Sequence, residues 1–157
     1  MRRSGILLPV SGIPSEYGIG TFGKKAYEFV DFLKASGQKL WQILPLGQTG
    51  YGDSPYQSFS TFAGNPYFID LGKLIDGGFL TRWECDECDF GSNPEYVDYE
   101  KMYYSRYKLL RKAYDRFLER GLLSDKLYVD FVSKNDYWLQ DYALYMAIKD
   151  VHGGKSM

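Results

Sequence analysis

The sequence has no excess of charge of either sign and no long hydrophobic run. Its 157 residues carry 19 basic and 20 acidic side chains, which gives a formal net charge of -1. Without a basic field, recruitment of nucleic acid or of an anionic membrane is not expected. The first apolar run, residues 6–10, is too short for a signal-peptide core or a membrane span. We therefore predict a cytoplasmic protein with no nucleic-acid and no membrane partner.

Cysteine and histidine are scarce as well. Cys85 and Cys88 form a single C-x-x-C, and His152 is the one histidine of the sequence. A closed zinc site needs two ligands beyond this pair, so no metal site is predicted. Acidic residues surround the pair and disfavour the thiolate form, which argues against a redox motif. We expect two reduced thiols in a surface loop.

Aromatic residues, in contrast, make up 18% of the chain. Flat rings fill protein cores, and they also stack on the apolar faces of sugars. Rings at helical spacing belong to a core by default. Only rings in loops that face a site therefore indicate a ligand.

Two short apolar runs frame the first part of the chain. Residues 6–10 and 39–46 are each bounded by glycine or proline, as buried strands are. Between them, one helical stripe ahead of a terminating glycine is formed by Ala26, Phe29, Val30 and Leu33. This pattern predicts a βαβ unit with a right-handed crossover. Because two strands do not make an independent parallel sheet, the unit indicates part of a larger α/β domain.

The second half of the chain is predicted to be helical. Residues 100–120 have an apolar side, taken as core, which consists of Tyr103, Tyr107, Leu110, Tyr114 and Phe117. A short helix near Leu127 and a separate helix with a capping-box start at residues 133–136 follow. The last helix carries an aromatic stripe and ends at the glycine pair 153–154, where no further element remains for the stripe to pack on.

Residues 76–99 contain glycine, proline and a run of acids without a sustained period, which is typical of a linker. We therefore divide the chain into two parts. Residues 1–80 form the first βαβ portion of a domain with long loops, and residues 81–157 form the linker and a helical inserted subdomain.

Two long loops follow the predicted strands. Residues 11–22 are rich in glycine and proline, and residues 47–65 form a nineteen-residue loop with many hydroxyls and rings. Loops of that length inside a compact domain are commonly functional. If the strands belong to a (β/α)8 barrel, these loops lie at the functional end.

The second loop has the chemistry of a sugar site. Tyr51 and Tyr56 can stack on a sugar ring, while Asp53 and Ser54 offer groups that hydrogen-bond hydroxyls. A structural alternative stays open. In that alternative, Asp53 or Ser54 caps a helical turn with Pro55 at its first position. Tyr56 would then be a tyrosine of the core.

Four stretches of the sequence together resemble a known family. They are SGILLPVSGIPSEYGIGTFG, GQKLWQILPLG, YGDSPYQSFSTFAGNP and DYALYMAIK, at residues 4–23, 37–47, 51–66 and 141–149. They are similar to the amylomaltases of glycoside hydrolase family 77. The resemblance covers essentially the whole chain and is least specific in the middle segment, at about residues 82–133. Gly12 and Gln48 depart from it, where serine and proline are more usual.

The resemblance implies an α/β fold: the N-terminal part of a (β/α)8 TIM barrel, incomplete in this chain, with an inserted and mainly helical subdomain. It also implies a retaining 4-α-glucanotransferase that transfers α-1,4-glucan segments between maltodextrins. The implied partners are α-1,4-glucans, such as maltooligosaccharides and amylose, and the remainder of the same polypeptide. No metal and no organic cofactor are implied.

Retaining chemistry requires a nucleophile and an acid/base carboxylate about 5 Å apart. In the family these come from later barrel strands, so we expect no catalytic residue in this chain, and the nucleophile Asp and acid/base Glu downstream of Met157. By position in GDSPYQ, Tyr56 resembles the tyrosine beneath the sugar at the cleaved bond, Ser54 a neighbouring donor, and Tyr51 a ring of a secondary glucan site. Asp53 and Asp70 are not taken as substitutes for the catalytic pair.

Two alternative functions remain at this point. In the first, the chain is a non-catalytic module that binds a glucan or a protein partner. In the second, it is part of a hydrolase of the same barrel clan, with water as the acceptor. A continuing barrel beyond the last residue favours an enzyme, and a stop codon there favours the module.

Overall fold

The computed structural model of the protein describes residues 2–50 and 52–153. Its strands and α-helices, in chain order, are β1 (Gly5–Leu7), α1 (Lys24–Ala35), β2 (Leu40–Gln42), α2 (Leu71–Asp76), α3 (Arg82–Asp86), α4 (Tyr99–Glu119) and α5 (Lys126–Val151). Single 3-10 turns occur at Val10–Gly12, Pro66–Phe68 and Leu122–Ser124. Within the described ranges, every helix is too short or too polar to span a bilayer.

The two strands form a parallel pair. Gly5 lies opposite Leu40 and Leu7 opposite Gln42, and α1 connects the strands. This confirms the predicted βαβ unit, although each strand has three residues and is shorter than its apolar run. Glycine is required at position 5, because a Cβ there would lie 2.5 Å from the carbonyl oxygen of Leu40.

The strands are not buried, contrary to the prediction. Ile6, Leu7 and Leu40 expose 40%, 56% and 52% of their surface. On one side, the Phe29 ring of α1 meets Trp41 edge-on, with ring centroids 5.2 Å apart. The prediction fails because a sheet of two strands leaves much of its apolar surface open in the described part of the chain.

The core lies among the helices that follow the sheet. It joins a residue of the first loop to α2, α3 and α4, and its buried members are Ile19, Tyr67, Leu71, Leu80, Cys85, Phe90, Met102, Leu109 and Ala113. Several of them belong to residues 76–99, so that segment is a packed part of the core and not a linker. The division at residue 80 stays a prediction, and this core contains residues from both sides of it.

The segment mistaken for a linker contains a capping box. The Thr81 hydroxyl accepts from the Glu84 backbone N–H at 3.2 Å, and the Glu84 carboxylate accepts from the Thr81 N–H at 2.9 Å. This reciprocal pair starts α3. The helix then places Cys85 fully inside the core.

Cys85 is therefore not a surface-loop thiol, and Cys88 is half-buried; both are free. Burial, followed by the neighbouring Cys88 and acidic residues, raises the pKa of Cys85 to about 11. Among the described residues, no three His, Cys, Asp or Glu side chains are grouped as metal ligands would be.

Helix α4 matches the predicted helix at residues 100–120, but its buried side is different. Its buried residues are Met102, Arg106, Leu109 and Ala113, and each lies one position before a member of the predicted stripe. Arg106 concealed this face, because a charged residue among the four is not expected in a core. Two tyrosines of the predicted stripe, Tyr103 and Tyr107, instead line a groove, and Tyr103 is 52% exposed.

Helix α5 is one continuous helix of 26 residues with Asp125 as its N-cap, where two helices were predicted. Residues 133–136 lie inside it. The Asn135 amide donates to the Phe131 carbonyl oxygen at 2.8 Å and accepts from Trp138 Nε1 at 3.0 Å. These polar side chains bond within the helix and do not interrupt it. Its C-cap is His152, followed by Gly153 with φ 66°, as predicted for its end.

Candidate functional site

The loop after β2 folds back on itself as a narrow hairpin. Antiparallel bridges pair Gly47 with Gly64 and Thr49 with Ser58. A side chain at position 47 would put a Cβ 2.2 Å from the Ser58 hydroxyl, so the close approach of the two arms requires glycine. We call residues 47–65 the recognition loop and residues 50–57 its tip.

A tight turn forms the tip. The Gln57 N–H donates to the Ser54 carbonyl oxygen at 3.1 Å, and the Tyr56 N–H donates to the Ser54 hydroxyl at 3.4 Å. Pro55 follows Ser54 in this turn. The structural alternative is thus correct in part, since Ser54 supports a turn, but the turn does not continue into a helix.

Asp53 enters this turn in a strained conformation. Its φ is 53°, in the left-handed region that non-glycine residues seldom adopt. Its carboxylate accepts from the Thr49 hydroxyl at 3.2 Å, and burial raises the pKa of Asp53. It lies on a cavity of about 120 Å³ together with Ser11, Asn65 and Tyr99. Strain of this kind persists only where surrounding contacts enforce it, and it is concentrated at functional sites.

Tyr56 projects from the tip with 73% of its surface exposed. It is not a core tyrosine. Ser54 is half-buried beside it, so the structure brings Asp53, Ser54 and Tyr56 together on one turn. Tyr51 lies outside the described residues. The sugar-binding roles of all four remain predictions.

Helix α5 supports the recognition loop along one side. The Phe62 ring stacks on Trp138 with centroids 5.8 Å apart. Further along the same side, Phe59 packs against Tyr145 at 6.2 Å, and the Lys149 ammonium lies 3.4 Å from the Phe59 ring centroid. The expectation that this aromatic stripe has nothing to pack on is wrong, because the recognition loop wraps back onto it.

Gln48 links the base of the recognition loop to both long helices. Its amide nitrogen donates to the Tyr107 hydroxyl of α4 at 3.1 Å, and its amide oxygen accepts from the Tyr142 hydroxyl of α5. The residue is only 9% exposed. In the sequence, Gln48 is only a departure from the resembled pattern, and no local signal indicates this role.

Arg106 anchors the loops from the other side of α4. Its side chain is fully buried and donates from Nη1 to the Tyr17 carbonyl oxygen at 3.4 Å and from Nη2 to the Ile69 carbonyl oxygen. These carbonyls belong to the first loop and to the segment just after the recognition loop. Burial lowers the pKa of Arg106 to about 10, so it stays charged at neutral pH.

Asp70, which was not expected to replace a catalytic carboxylate, has a structural role. It caps α2 by accepting from the Lys73 N–H at 2.9 Å, and it also accepts from the Thr21 hydroxyl. Both oxygens are therefore engaged within the fold.

A groove runs between the recognition loop, α4 and α5. It encloses about 1100 Å³ and is lined by rings and charged groups, among them Phe59, Tyr103, Tyr104 and Arg111. The two adjacent tyrosines expose 52% and 68% of their surface. Sequence periodicity assigned Tyr103 to the core and therefore missed this surface.

Comparison with known proteins gives consistent matches over nearly the full chain. A curated 4-alpha-glucanotransferase of Streptococcus pneumoniae is 53% identical over 149 residues, which are 95% of this chain and 29% of that protein. The Thermus thermophilus 4-alpha-glucanotransferase is 45% identical over 98% of this chain and 30% of its own length. The chain thus spans about three tenths of the curated relatives it matches.

A solved structure agrees with this picture. The amylomaltase from Streptococcus agalactiae in complex with acarbose superimposes with a TM-score of 0.90 at 42% identity, covering 99% of this chain and 31% of that one. The family model described as 4-alpha-glucanotransferase matches residues 8–157. The chain therefore belongs to the 4-alpha-glucanotransferase family, glycoside hydrolase family 77.

Proposed function

We propose that this chain supplies the substrate-binding loops of a 4-α-glucanotransferase, which transfers α-1,4-glucan segments between maltodextrins by a retaining double displacement. The observation that carries the proposal is the tip of the recognition loop. There an exposed ring at Tyr56 and a hydroxyl at Ser54 are held on one turn, away from the core. Rings and hydroxyl-bonding groups side by side suit a sugar, which has an apolar face and a polar rim.

In this proposal Tyr56 lies against the sugar at the cleaved bond and Ser54 donates to one of its hydroxyls. Asp53 sets the turn that carries them and accepts from a glucan hydroxyl, while Tyr51 contributes a ring to a second glucan contact. The family's membership includes a protein solved with acarbose, which supports a saccharide ligand. The chemistry itself needs a nucleophile Asp and an acid/base Glu about 5 Å apart, and we place both downstream of Met157.

The exposure of the two-stranded sheet is the observation that supports the proposed barrel. Apolar residues of β1 and β2 are about half exposed, although the strands pair in parallel as barrel strands do. Parallel sheets are ordinarily covered on both faces. We propose that the remainder of the polypeptide supplies the further barrel strands, with residues 81–157 as an inserted, mainly helical subdomain.

A maltotriose assay on the protein from the complete reading frame tests this function against its alternatives. A transferase produces glucose and longer maltooligosaccharides with no net gain of reducing ends. A hydrolase of the same clan increases the number of reducing ends. Binding of maltooligosaccharides without either product identifies a non-catalytic module. A protein that ends at Met157 should release no glucose above a buffer blank, because it lacks the carboxylate pair.

A further inference from the structure

We propose that Gln48 is a positioning residue for the glucan-binding tip: its amide joins the base of the recognition loop to α4 and α5 and thereby sets where Tyr56 and Ser54 lie. The inference rests on the proposed function for its effect on catalysis. Its effect on the loop follows from the geometry alone.

The Gln48 amide lies at the base of the recognition loop, where a shift of the loop would break its hydrogen bonds. Gln48 lies between Gly47, which bridges to Gly64, and Thr49, which bridges to Ser58, so it is held at the paired base of the hairpin. Its side chain is nearly removed from water, and both ends of its amide are hydrogen-bonded. A buried amide left without a partner destabilises the arrangement, because its desolvation is not compensated. Other placements of the loop that break these bonds are therefore disfavoured.

The two partners approach from different helices. Tyr107 belongs to α4 and Tyr142 to α5, so one side chain fixes the loop against two elements at once. Burial raises the pKa of Tyr107 to about 12 and also raises that of Tyr142. Both hydroxyls thus keep their protons, and the arrangement is unchanged across neutral pH.

A short series of contacts connects this amide to the tip. Thr49 is the next residue and donates its hydroxyl to the Asp53 carboxylate at 3.2 Å. Asp53, in its left-handed conformation, directs the chain into the turn of Ser54 and Tyr56. A displacement at the base is therefore transmitted to the ring and the hydroxyl. A positioning error of about 1 Å in a substrate-binding group can cost about a hundredfold in rate.

The contacts of Phe59 and Phe62 with α5 do not fix the position of the loop as narrowly as the Gln48 hydrogen bonds do. Ring contacts tolerate sliding, since dispersion and burial have little directional preference. Hydrogen bonds to two fixed hydroxyls have a narrow geometry. We assign the loop's attachment to the rings and its register to Gln48.

The test uses three variants of the protein from the complete reading frame. Gln48→Met keeps the length of the side chain and removes both hydrogen bonds. Gln48→Glu keeps an acceptor for both tyrosine hydroxyls. Tyr142→Phe removes one oxygen atom and is the mildest change. For each, the melting temperature, the kcat and KM for maltotriose, and hydrogen exchange of backbone amides are measured.

We expect Gln48→Met to lower kcat/KM about ten- to a hundredfold, and Gln48→Glu to recover most of that loss. Tyr142→Phe should have a smaller effect in the parent and none in the Gln48→Met background, as expected for residues that act through one contact. Exchange should accelerate at residues 50–57 in Gln48→Met and stay unchanged in the middle of α4.

Two results would overturn the inference. One is unchanged exchange at the tip in Gln48→Met and Tyr142→Phe. The other is a lower melting temperature with a kcat/KM within about twofold of the parent, which would make Gln48 a residue of stability only. If the parent forms no glucose from maltotriose while the tip still exchanges faster, the proposed function fails and the positioning of the loop stands.

Discussion

The recognition loop and the core around α4 are held together by different means. In the core, Met102 and Leu109 are at most 1% exposed, and packing determines their positions. In the loop, Tyr56 is 73% exposed, and hydrogen bonds at the base and in the turn determine where it lies. This difference means that stability and ligand contact should be separable by mutation. Substitutions in each region test that separation.

The largest effect on stability is expected at Leu109. Leu109→Ala removes side-chain atoms from a fully buried site, and such a change costs about 2 to 5 kcal/mol of unfolding free energy. Leu127→Ala is the matched control, because Leu127 is 80% exposed on α5, and it should change stability by less than about 0.5 kcal/mol. Denaturant unfolding of both variants measures the difference. Equal losses would show that the region around α4 is not the core.

A smaller effect with a defined pH dependence is expected at Glu84. Its carboxylate accepts from Arg116 at 2.7 and 2.8 Å, from Lys112 at 3.2 Å and from Thr81, and these bonds hold the pKa of Glu84 well below its usual range. A lowered pKa stabilises the fold at pH values above the unfolded-state pKa. That contribution decreases progressively as the pH falls from the unfolded-state pKa towards the lowered pKa of the folded state.

Glu84→Gln should therefore cost about 1 to 2 kcal/mol at pH 7, since solvent reaches both cations and screens the pair. The difference from the parent should shrink as the pH falls below about 4. Urea unfolding from pH 7 to pH 3 measures this. Glu95→Gln, at an exposed position, is the control. A gap between parent and Glu84→Gln that persists unchanged at pH 3 would contradict the role of the ionised carboxylate.

The smallest effects are expected at the cysteines, where the comparison occurs within one helical turn. Cys85 is fully buried, and its pKa is raised to about 11, whereas Cys88 is half-buried. A thiol reagent should modify Cys88 in the folded protein and Cys85 only on unfolding, because reaction requires an accessible thiolate. Cys85→Ser should cost about 1 kcal/mol and Cys88→Ser less. Equal labelling rates under native conditions would place Cys85 outside the core.

Local patterns predicted the parts of this fold that local forces decide. The parallel pair of strands, α1 and the span of α4 follow from apolar runs and helical spacing. The capping box at Thr81 was present in the sequence, but the surrounding acids and glycines suggested a linker instead. The prediction of two separate helices in place of α5 is wrong, because a capping sequence starts a helix only where the preceding chain is not already helical.

Contacts between distant residues could not be predicted in this way. Gln48 meets Tyr107 and Tyr142 across 59 and 94 positions of sequence, and no local period records such a pairing. The buried guanidinium of Arg106 also hid the true core face of α4, which lies one residue away from the predicted stripe. The exposed tip was easier to find, because loop length and composition carry the signal for a ligand site.

We expect the exposed Tyr56 ring to serve the substrate and not the fold. Tyr56→Ala and Tyr56→Phe, made in the protein from the complete reading frame, test it when melting temperature and maltotriose kinetics are measured on the same samples. Tyr56→Ala should lower kcat/KM about thirty- to a thousandfold, or about 2 to 4 kcal/mol. Tyr56→Phe should lose much less, because it keeps the face of the ring.

Neither variant should shift the melting temperature by more than about 2 °C, since the side chain is mostly exposed. A Tyr56→Ala protein that melts many degrees lower yet retains near-normal kcat/KM in its folded fraction would contradict the claim.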